Sequence, residues 1–221
     1  MTPNLNSHGL GNTHSRTPLD QPDTYPSRIL CKGETLYRDG DVADTTYRVE
    51  EGLLKLSIDL LTGKERIVSV AGPGDYIGAL TPAHSHYDET AQALSQEVRV
   101  SVIPSDTLSE ALKTEVASAA GQHMNRLRDA LEDGELPVPS RLARTFVRLG
   151  ERFGHVNEEE NVRLTLPLTH DNFAAMVGAA RETTTAVLSE MRDEGVLEGT
   201  RGRYHFNLND LSDYASNAAF H

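Results

Sequence analysis

The sequence predicts an α+β fold in three parts: an N-terminal antiparallel β-roll, a long helix and a C-terminal winged helix-turn-helix. Residues 28–104 alternate apolar and polar side chains between glycine turns, as strands do. An apolar seam at helical spacing then continues to Asp133. Beyond Thr169, two short helical stripes flank Gly178 and lead into an arginine-bearing hairpin. The 221 residues are enough for two ordinary domains, each with its own core.

Residues 1–27 are predicted to form a disordered tail. They are rich in Ser, Thr, Asn, Pro and Gly, and they lack the apolar segment of a secretion signal. The chain has no run of about 18 apolar residues, so we expect no membrane partner and a cytoplasmic protein. The single cysteine, Cys31, can form neither an internal disulfide nor a multi-cysteine metal centre, and we expect a free thiol.

The β-roll is predicted over residues 28–107. Segments such as TTYRVEEG, LLKLSIDL and VRVSVI are rich in β-branched and apolar residues in alternation. Glycines separate these segments, among them Gly40 and Gly63. Short strands joined by tight turns are typical of an antiparallel barrel or jelly roll.

A dimerisation helix is predicted over residues 108–133. Arg128 and Glu132 lie on one face, while apolar and small side chains recur at coiled-coil spacing on another. A helix with one apolar seam needs a partner, and a second copy of the chain has the matching seam, so we expect a homodimer. The GELPVP segment, residues 134–139, then interrupts the helical pattern as a hinge. The predicted seam consists of Val116, Ala120, His123, Leu127 and Leu131.

Residues 140–221 are predicted to form the winged helix-turn-helix domain, beginning with a helix over residues 141–153. Thr169 is a candidate N-cap for the first helix of the motif, and Gly178 ends that helix. Between them, apolar residues recur at the three- and four-residue spacing of a buried helical face. These residues are Phe173, Met176 and Val177.

The second helix of the motif is predicted from Arg181 to Glu194. Its apolar stripe consists of Thr184, Val187, Leu188 and Met191. Arg181, Glu182 and Thr185 lie off that stripe, so their polar ends are free. A helix of this kind is presented to the DNA major groove with the following hairpin as a wing, so double-stranded DNA is the expected partner.

The formal charge of −12 opposes this expectation in part, because Lys and Arg contacts to phosphate supply much of the affinity for DNA. The acidity is concentrated in the N-terminal part. Residues 137–221 hold nine Arg, no Lys and twelve acidic residues, whereas residues 1–136 carry a net charge of −9. Arginine also suits bidentate contacts to phosphate and guanine. We therefore expect DNA binding that depends strongly on salt.

The order of these parts resembles the CRP/FNR family of bacterial transcription regulators over roughly residues 28–215. Three segments carry the resemblance: GETLYRDGDVADTTYRVEEGLLKLS with GPGDYIGAL in the roll, PSRLARTFVRL after the hinge, and ARETTTAVLSEMRDEGVLE in the second helix. The resemblance implies a cyclic-nucleotide-binding-like roll and a sequence-specific DNA-binding regulator. It also implies a homodimeric activator that recruits RNA polymerase, and not an enzyme.

The resemblance assigns roles at the start of the second helix. Arg181 and Glu182 match the pair that opens the family's recognition helix, and they would read G·C pairs in a pseudo-palindromic, TGTGA-like site. Thr185 completes the base-facing set, whereas Ala186 stands near a reading position that is often arginine in the family. A solvated helix start, helix caps and ordinary surface arginines are the plainer alternatives. The candidates for phosphate contacts are Thr169, His170, Thr183, Arg201 and Arg203.

The roll departs from the cyclic-nucleotide-binding members of the family at its ligand pocket. Glu89 falls where those members hold the cyclic phosphate with arginine, and a carboxylate there repels an anion. Arg126 stands near the hydroxyl residues that meet adenine. We therefore expect no cofactor and no dependence on cyclic AMP: the protein senses another small molecule or is active without a ligand. The positions of this degenerate pocket are Gly78, Ala79, Leu80, Glu89, Thr90 and Arg126.

Two alternatives concern metals. His84 and His86 are possible ligands of a metal or haem sensor, although one His-x-His loop is weak evidence against ordinary surface histidines. With Gly78 and Glu89 they also nearly trace the first metal motif of cupin enzymes. The gap from His86 to Glu89 is one residue too short for that motif, and its distal histidine is not found. We therefore expect no enzyme activity and assign no metal site.

Overall fold

The computed structural model describes residues 25–81 and 85–219, so most of the predicted tail, residues 1–24, lies outside the described residues. Eight strands form the roll: β1 Ser27–Cys31, β2 Thr35–Tyr37, β3 Thr45–Glu51, β4 Leu54–Asp59, β5 Glu65–Ala71, β6 Tyr76–Gly78, β7 Thr90–Ala93 and β8 Glu97–Pro104. They make two four-stranded antiparallel sheets, in the orders β1-β8-β3-β6 and β2-β7-β4-β5. This confirms the predicted β-roll.

The inward side chains of the two sheets form one apolar core. In β8, Val98 and Val100 are buried and Arg99 between them is exposed, which is the alternation that a pleated strand dictates. Gly52 makes the turn between β3 and β4 with φ +79°. A Cβ there would lie 2.4 Å from the carbonyl oxygen of Glu97, so no larger residue fits.

Helix α1 spans Glu110–Asp133 and follows a 3-10 turn at Ser105–Thr107. It begins two residues later than predicted because Ser109 is its N-cap. The Ser109 hydroxyl accepts a hydrogen bond from the Leu112 N–H at 3.2 Å. In the described part of the chain neither α1 nor any other helix is both long and apolar enough to cross a membrane.

The linker after α1 is shorter than the predicted hinge of residues 134–139. Helix α2 spans Val138–Phe153, so Pro139 already lies in its first turn. Proline is tolerated there because the first N–H groups of a helix have no intrahelical partner.

The bend between α1 and α2 is held by Asp133, which is 3% exposed. Its carboxylate forms ion pairs with Arg144, at 2.7 Å, and with Arg148.

The rest of the C-terminal domain consists of a small sheet and three further helices. Its elements are β9 His155–Val156, β10 Asn161–Thr165, α3 His170–Val177, α4 Arg181–Asp193, β11 Glu198–Thr200, β12 Arg203–Asn207 and α5 Leu208–Asn217. The sheet is antiparallel in the order β11-β12-β10-β9. Phe146 of α2 is central to its core: it stacks on Phe173 at 4.8 Å and meets Tyr204 edge-on at 4.9 Å. The predicted winged helix-turn-helix is confirmed, with α5 as an additional helix.

The two domains share a continuous packed boundary. Val70 and Leu94 of the roll belong to the same apolar cluster as Phe146 of the C-terminal domain. Arg152 of α2 donates to the carbonyl oxygen of Val70 at 2.8 Å and pairs with Asp75 at 2.8 Å. The C-terminal domain is therefore held against the roll by both apolar and polar contacts.

Candidate nucleic-acid interface and roll pocket

Helix α3 is fixed at both ends by its sequence. The Thr169 hydroxyl accepts from the Asn172 N–H at 3.2 Å, and the Asn172 side chain accepts from the Thr169 N–H at 2.9 Å. This capping box satisfies two N–H groups that the helix itself leaves unpaired. Gly178 ends α3 in the left-handed conformation, with φ +63°. The predicted N-cap and stop are both present, and the Thr169 hydroxyl already has a structural use.

Helix α4 has a buried stripe and an exposed polar start. The buried stripe is the predicted one: Thr184, Val187, Leu188 and Met191. The exposed side chains at the start are Arg181, Glu182, Thr183 and Thr185. Ala180 gives the helix no side-chain cap, so the first backbone N–H groups remain available to an anion.

Arg181 and His170 differ in their local environment. Arg181 Nε lies 3.6 Å from Asp171 Oδ1 with both side chains well exposed, and such a pair contributes little free energy. His170 Nδ1 lies 3.0 Å from Thr185 Oγ1. Burial lowers the pKa of His170, and the charges of Arg192 and Arg181 lower it further. In the free protein His170 is therefore a neutral hydrogen-bonding group at pH 7.

The wing is the hairpin of β11 and β12. Arg201 lies at its tip with φ +53°, Arg203 begins β12, and both side chains are exposed. Arg192, in the last turn of α4, donates from Nε to the carbonyl oxygen of Gly199 at 2.9 Å. This bond fixes the wing relative to α4. Sequence analysis missed Arg192, and its basic side chain at a helix C-terminus was the available signal.

Three tyrosines occupy the interior of the roll beside the predicted pocket. Tyr37 stacks on Tyr87 with ring centroids 4.1 Å apart and on Tyr47 at 5.8 Å, and all three are buried. Gly78 has φ +89°, and a Cβ there would lie 2.8 Å from the carbonyl oxygen of Thr45 and 3.1 Å from the Tyr47 ring. The rings therefore pack directly against the segment that begins at Gly78.

Glu89 is buried at the contact between the roll and α1. Its Oε1 accepts from the Tyr37 hydroxyl at 3.2 Å, and its Oε2 lies 3.5 Å from His123 Nε2. Burial raises the pKa of Glu89 to about 7, although the Tyr37 hydrogen bond and the charge of Arg126 oppose this rise. Burial also lowers the pKa of His123. The structure brings Glu89 near Arg126 and adds Tyr37 and His123, which the sequence did not place in the pocket.

The other predicted pocket positions are engaged by the chain itself. The carbonyl oxygen of Ala79 accepts from the Thr46 hydroxyl at 2.7 Å. The Thr90 hydroxyl accepts from the Asp39 N–H at 3.1 Å. Leu80 packs against a second apolar cluster, in which α1 meets the roll; this cluster consists of Tyr76, Ile103, Leu112 and Val116. These half-buried groups therefore make contacts within the chain.

Comparisons with known proteins agree with this architecture. Residues 27–115 match the profile of the cyclic nucleotide-binding domain, and residues 140–213 match that of the Crp-like helix-turn-helix domain. The transcriptional regulator LdrP of Thermus thermophilus is 30% identical over 171 residues, which cover 76% of this chain and 85% of that protein. The chain belongs to the CRP/FNR family of transcription regulators.

Two further CRP/FNR-type proteins are similar over most of the chain. A CRP-like cAMP-activated global transcriptional regulator of Mycobacterium tuberculosis is 28% identical over 185 residues, 79% of each chain. A solved CRP/FNR-family regulator of Thermus thermophilus superposes with a TM-score of 0.71 at 26% identity, over 87% of this chain and 100% of that chain. These relatives are described as transcription regulators, in agreement with the prediction that the chain is a regulator and not an enzyme.

The predicted CRP/FNR-type dimer seam needs correction at two residues. Val116 is 4% exposed and packs against Tyr76 and Ile103 of the chain's own roll. His123 faces Glu89 inside the same chain. Both residues therefore serve the contact between α1 and the roll. A heptad pattern does not reveal which apolar face of a helix its own domain covers.

The outward face of α1 keeps the remaining predicted residues. Ala120 and Leu127 are half-buried, and Leu131 is 76% exposed. Met124, 64% exposed, lies between them and was missing from the prediction. Together they form an apolar face that the described residues of one chain cover only in part. We call Ala120, Met124, Leu127 and Leu131 the outer seam.

No group of three His, Cys, Asp or Glu side chains that could hold a metal ion occurs within residues 25–81 and 85–219. His84, half of the predicted His-x-His pair, lies outside the described residues. His86 Nδ1 is 2.9 Å from the Ser85 hydroxyl. Cys31 is an exposed free thiol.

Proposed function

We propose that the chain is a homodimeric transcription activator that binds a pseudo-palindromic, TGTGA-like DNA site and needs no cyclic AMP. The observation that carries the proposal is the start of α4, where polar side chains are exposed over a buried apolar stripe. Helices of this motif enter the major groove by that end. Membership of the CRP/FNR family supports the DNA-binding role.

Arg181 and Glu182 have the chemistry needed to read G·C pairs. A guanidinium donates two hydrogen bonds to O6 and N7 of guanine, and a carboxylate accepts from the N4 amine of cytosine. Thr185 lies one turn after Arg181 on the same face. Its contact with His170 at 3.0 Å orients the hydroxyl before DNA is bound. These three residues would form the base-reading set.

Phosphate contacts would come from both sides of α4. The uncapped first turn offers backbone N–H groups, and the exposed wing arginines offer charge. Such contacts fix position and carry no direct sequence information. The proposed contacts are Thr169, His170, Thr183, Arg201 and Arg203.

The outer seam supports a homodimer. Met124 and Leu131 are 64% and 76% exposed in the single chain, and a second copy would remove this apolar surface from water. Successive major grooves on one side of DNA are about 34 Å apart, so the α1–α2 bend decides whether both α4 helices can dock. A dimer bound upstream of a promoter would recruit RNA polymerase, the role expected of an activator in this family. The protein would act in the cytoplasm.

The roll supports independence from cyclic AMP. A cyclic phosphate would meet the carboxylate of Glu89 where binding needs a cation, and Tyr37 and His123 already engage that carboxylate. Ala79 has no polar side chain to hold a ribose. The Mycobacterium tuberculosis relative is described as cAMP-activated, which makes cyclic AMP the alternative to test.

The test is selection of genomic DNA fragments by the purified full-length protein, with and without cyclic AMP. We expect TGTGA-like half-sites about 10 base pairs apart, centre to centre, recovered equally in both conditions. A template carrying the best site should give more transcript with RNA polymerase when the protein is added. Dependence on cyclic AMP would contradict the ligand part alone, and fragments without a shared motif would contradict the proposed site.

A further inference from the structure

A groove lies outside the roll, where β5, α1 and α2 meet. Its volume is about 430 Å³, within the usual range of small-molecule sites. Ile67 and Val68 of β5 and Met176 of α3 give it apolar surface. Arg126 of α1 with Arg148 and Arg152 of α2 give it three guanidinium groups, of which Arg148 pairs with Asp133 and Arg152 with Asp75. Neither Glu89 nor the stacked tyrosines line it, so it is separate from the interior of the roll.

Arg126 contributes an unsatisfied hydrogen-bond donor to this groove. Its Nε is shielded from solvent and has no hydrogen-bond partner among the described residues. Burial lowers the pKa of Arg126, and the neighbouring charge of Arg152 lowers it further, while Asp75 and Glu89 act in the opposite direction. The charges of Arg126 and Arg152 repel each other, and an anion between them would neutralise this repulsion and supply the acceptor that Arg126 Nε lacks.

We propose that this groove binds a small organic carboxylate, with the carboxylate between Arg126 and Arg152 and an apolar body against Ile67, Val68 and Met176. Arginine binds carboxylates through paired, charge-assisted hydrogen bonds.

The acidic residues that line the same groove restrict the ligand to a single compact charge. Asp133 is already held by Arg144 and Arg148. Asp129 and Glu151 also line the groove and repel polyanions. The ligand is therefore a monoanion with an apolar part, and inorganic phosphate is a poor fit.

A ligand in this groove joins three elements that meet at the bend. It contacts the roll through β5, the outer-seam helix through Arg126 and the C-terminal domain through Arg152. It therefore favours one angle between α1 and α2, and so one spacing of the two α4 helices. This regulatory consequence rests on the proposed DNA binding, whereas the binding site itself does not.

Calorimetric titration of the full chain with 2-naphthoate tests the site, with uncharged 2-naphthamide as the matched probe. We expect one naphthoate per chain and at least about tenfold weaker binding of the amide, because the charged pairing is lost. Arg126→Gln should weaken naphthoate binding by about tenfold or more. Arg128→Gln is the control, since Arg128 lies two residues away on the same helix, is 68% exposed and does not line the groove.

Several outcomes would overturn the site. They are equal binding of naphthoate and naphthamide, equal binding by the original chain and Arg126→Gln, or tighter binding of inorganic phosphate than of naphthoate. Misfolding is not expected, because Arg126→Gln removes a charge whose Nε has no partner among the described residues, and its thermal midpoint should be unchanged or higher.

The regulatory part has its own readout. Saturating naphthoate should change the affinity for the selected DNA site in the original chain and not in Arg126→Gln. Unchanged affinity with naphthoate bound would overturn regulation through the groove. A chain that binds naphthoate but no DNA would count against the proposed function and leave the site standing.

Discussion

The start of α4 and the interior of the roll use similar polar side chains in opposite ways. Arg181 and Glu182 are exposed, and Arg181 has only a 3.6 Å ion pair with Asp171. Glu89 is 8% exposed and contacts Tyr37 and His123. The charged groups at the start of α4 are accessible to a partner. The buried Glu89 is hydrogen-bonded within the chain through Oε1, and its Oε2 has no hydrogen-bond partner among the described residues. The start of α4 is therefore accessible from solvent, and the carboxylate of Glu89 is not.

The charged groups of the two regions also differ in their contribution to the free energy of folding. The exposed groups of α4 stay hydrated, so their charges add little to folding free energy. Burial of Glu89 raises its pKa to about 7, so its charged form opposes folding. Substitution of Arg181 or Glu182 should therefore change DNA binding, and substitution of Glu89 should change stability. The two faces of α1 differ in the same way: His123 faces the roll, and Leu127 belongs to the outer seam.

The largest effect is expected from Leu127→Glu on the outer seam. Each buried leucine contributes about 1.5 to 3 kcal/mol, a dimer loses two of them, and two like charges are brought together. We expect a folded monomer by light scattering, with DNA binding lost. Lys113→Glu is the control, since Lys113 is exposed near the start of the same helix and lies outside the seam. A Leu127→Glu chain that stays dimeric would place the dimer contact on another surface.

The second largest effect is expected from Glu89→Gln. The folded pKa of Glu89 is about 7 and its ordinary value is 4.5, so its contribution to stability falls as pH rises from about 4.5 through about 7. The amide has no charge to lose, and it can still accept from Tyr37. We expect the variant to be more stable at pH 8 by on the order of 3 kcal/mol, measured by urea unfolding.

The pH profile of the Glu89→Gln chain gives a sharper readout. His123 has a lowered folded pKa, so its contribution to stability rises as pH rises toward 6.5. In the original chain the two contributions oppose each other. Of these two contributions to the free energy of unfolding, the variant keeps the one from His123. The variant should therefore gain stability with pH relative to the original chain. Glu97→Gln, on an exposed position of the same roll, should not reproduce the gain in stability at pH 8. Equal stability of both chains at pH 8 would mean that the carboxylate of Glu89 is not desolvated.

The reading helices could be predicted because their signals are local. Thr169 caps α3 through a residue three positions away, Gly178 stops it, and the stripe of α4 repeats within four turns. The roll pocket depends on contacts that are distant in sequence. Tyr37 and Glu89 are 52 residues apart, and nothing near either residue indicates the hydrogen bond between them. Ala79 and Glu89 predicted a roll that does not bind cyclic AMP, but only the fold shows that Glu89 contacts Tyr37 and His123.

The helix α1 shows a different limit of prediction. Both of its apolar faces have helical spacing, so the sequence could not separate Val116, which the roll buries, from Met124, which it leaves exposed. Pro139 had a similar ambiguity. Proline marks a helix break in general, but it is also tolerated in the first turn, where α2 places it.

At the exposed start of α4, Arg181→Ala should weaken specific DNA binding by about 1 to 3 kcal/mol, roughly 5- to 150-fold. The variant lacks the guanidinium that would donate two hydrogen bonds to guanine. Selection at one base pair of each half-site should relax. Fluorescence anisotropy with the selected site and its single-base variants measures both effects. Ser189→Ala, an exposed change further along α4, should bind as the original chain does. Retained preference at every base pair would remove Arg181 from the reading set.

The smallest effect is expected from Arg201→Ala at the tip of the wing. Arg201 is exposed and would meet phosphate, so its loss should weaken binding to all sequences alike. The slope of log affinity against log salt should fall by about 0.9, the value for one phosphate contact. Arg163→Ala, on an exposed position of β10 away from the tip, should leave the slope unchanged. If Arg201→Ala instead alters the preferred sequence at constant slope, the wing contacts bases. The base-contacting residues would then extend beyond α4.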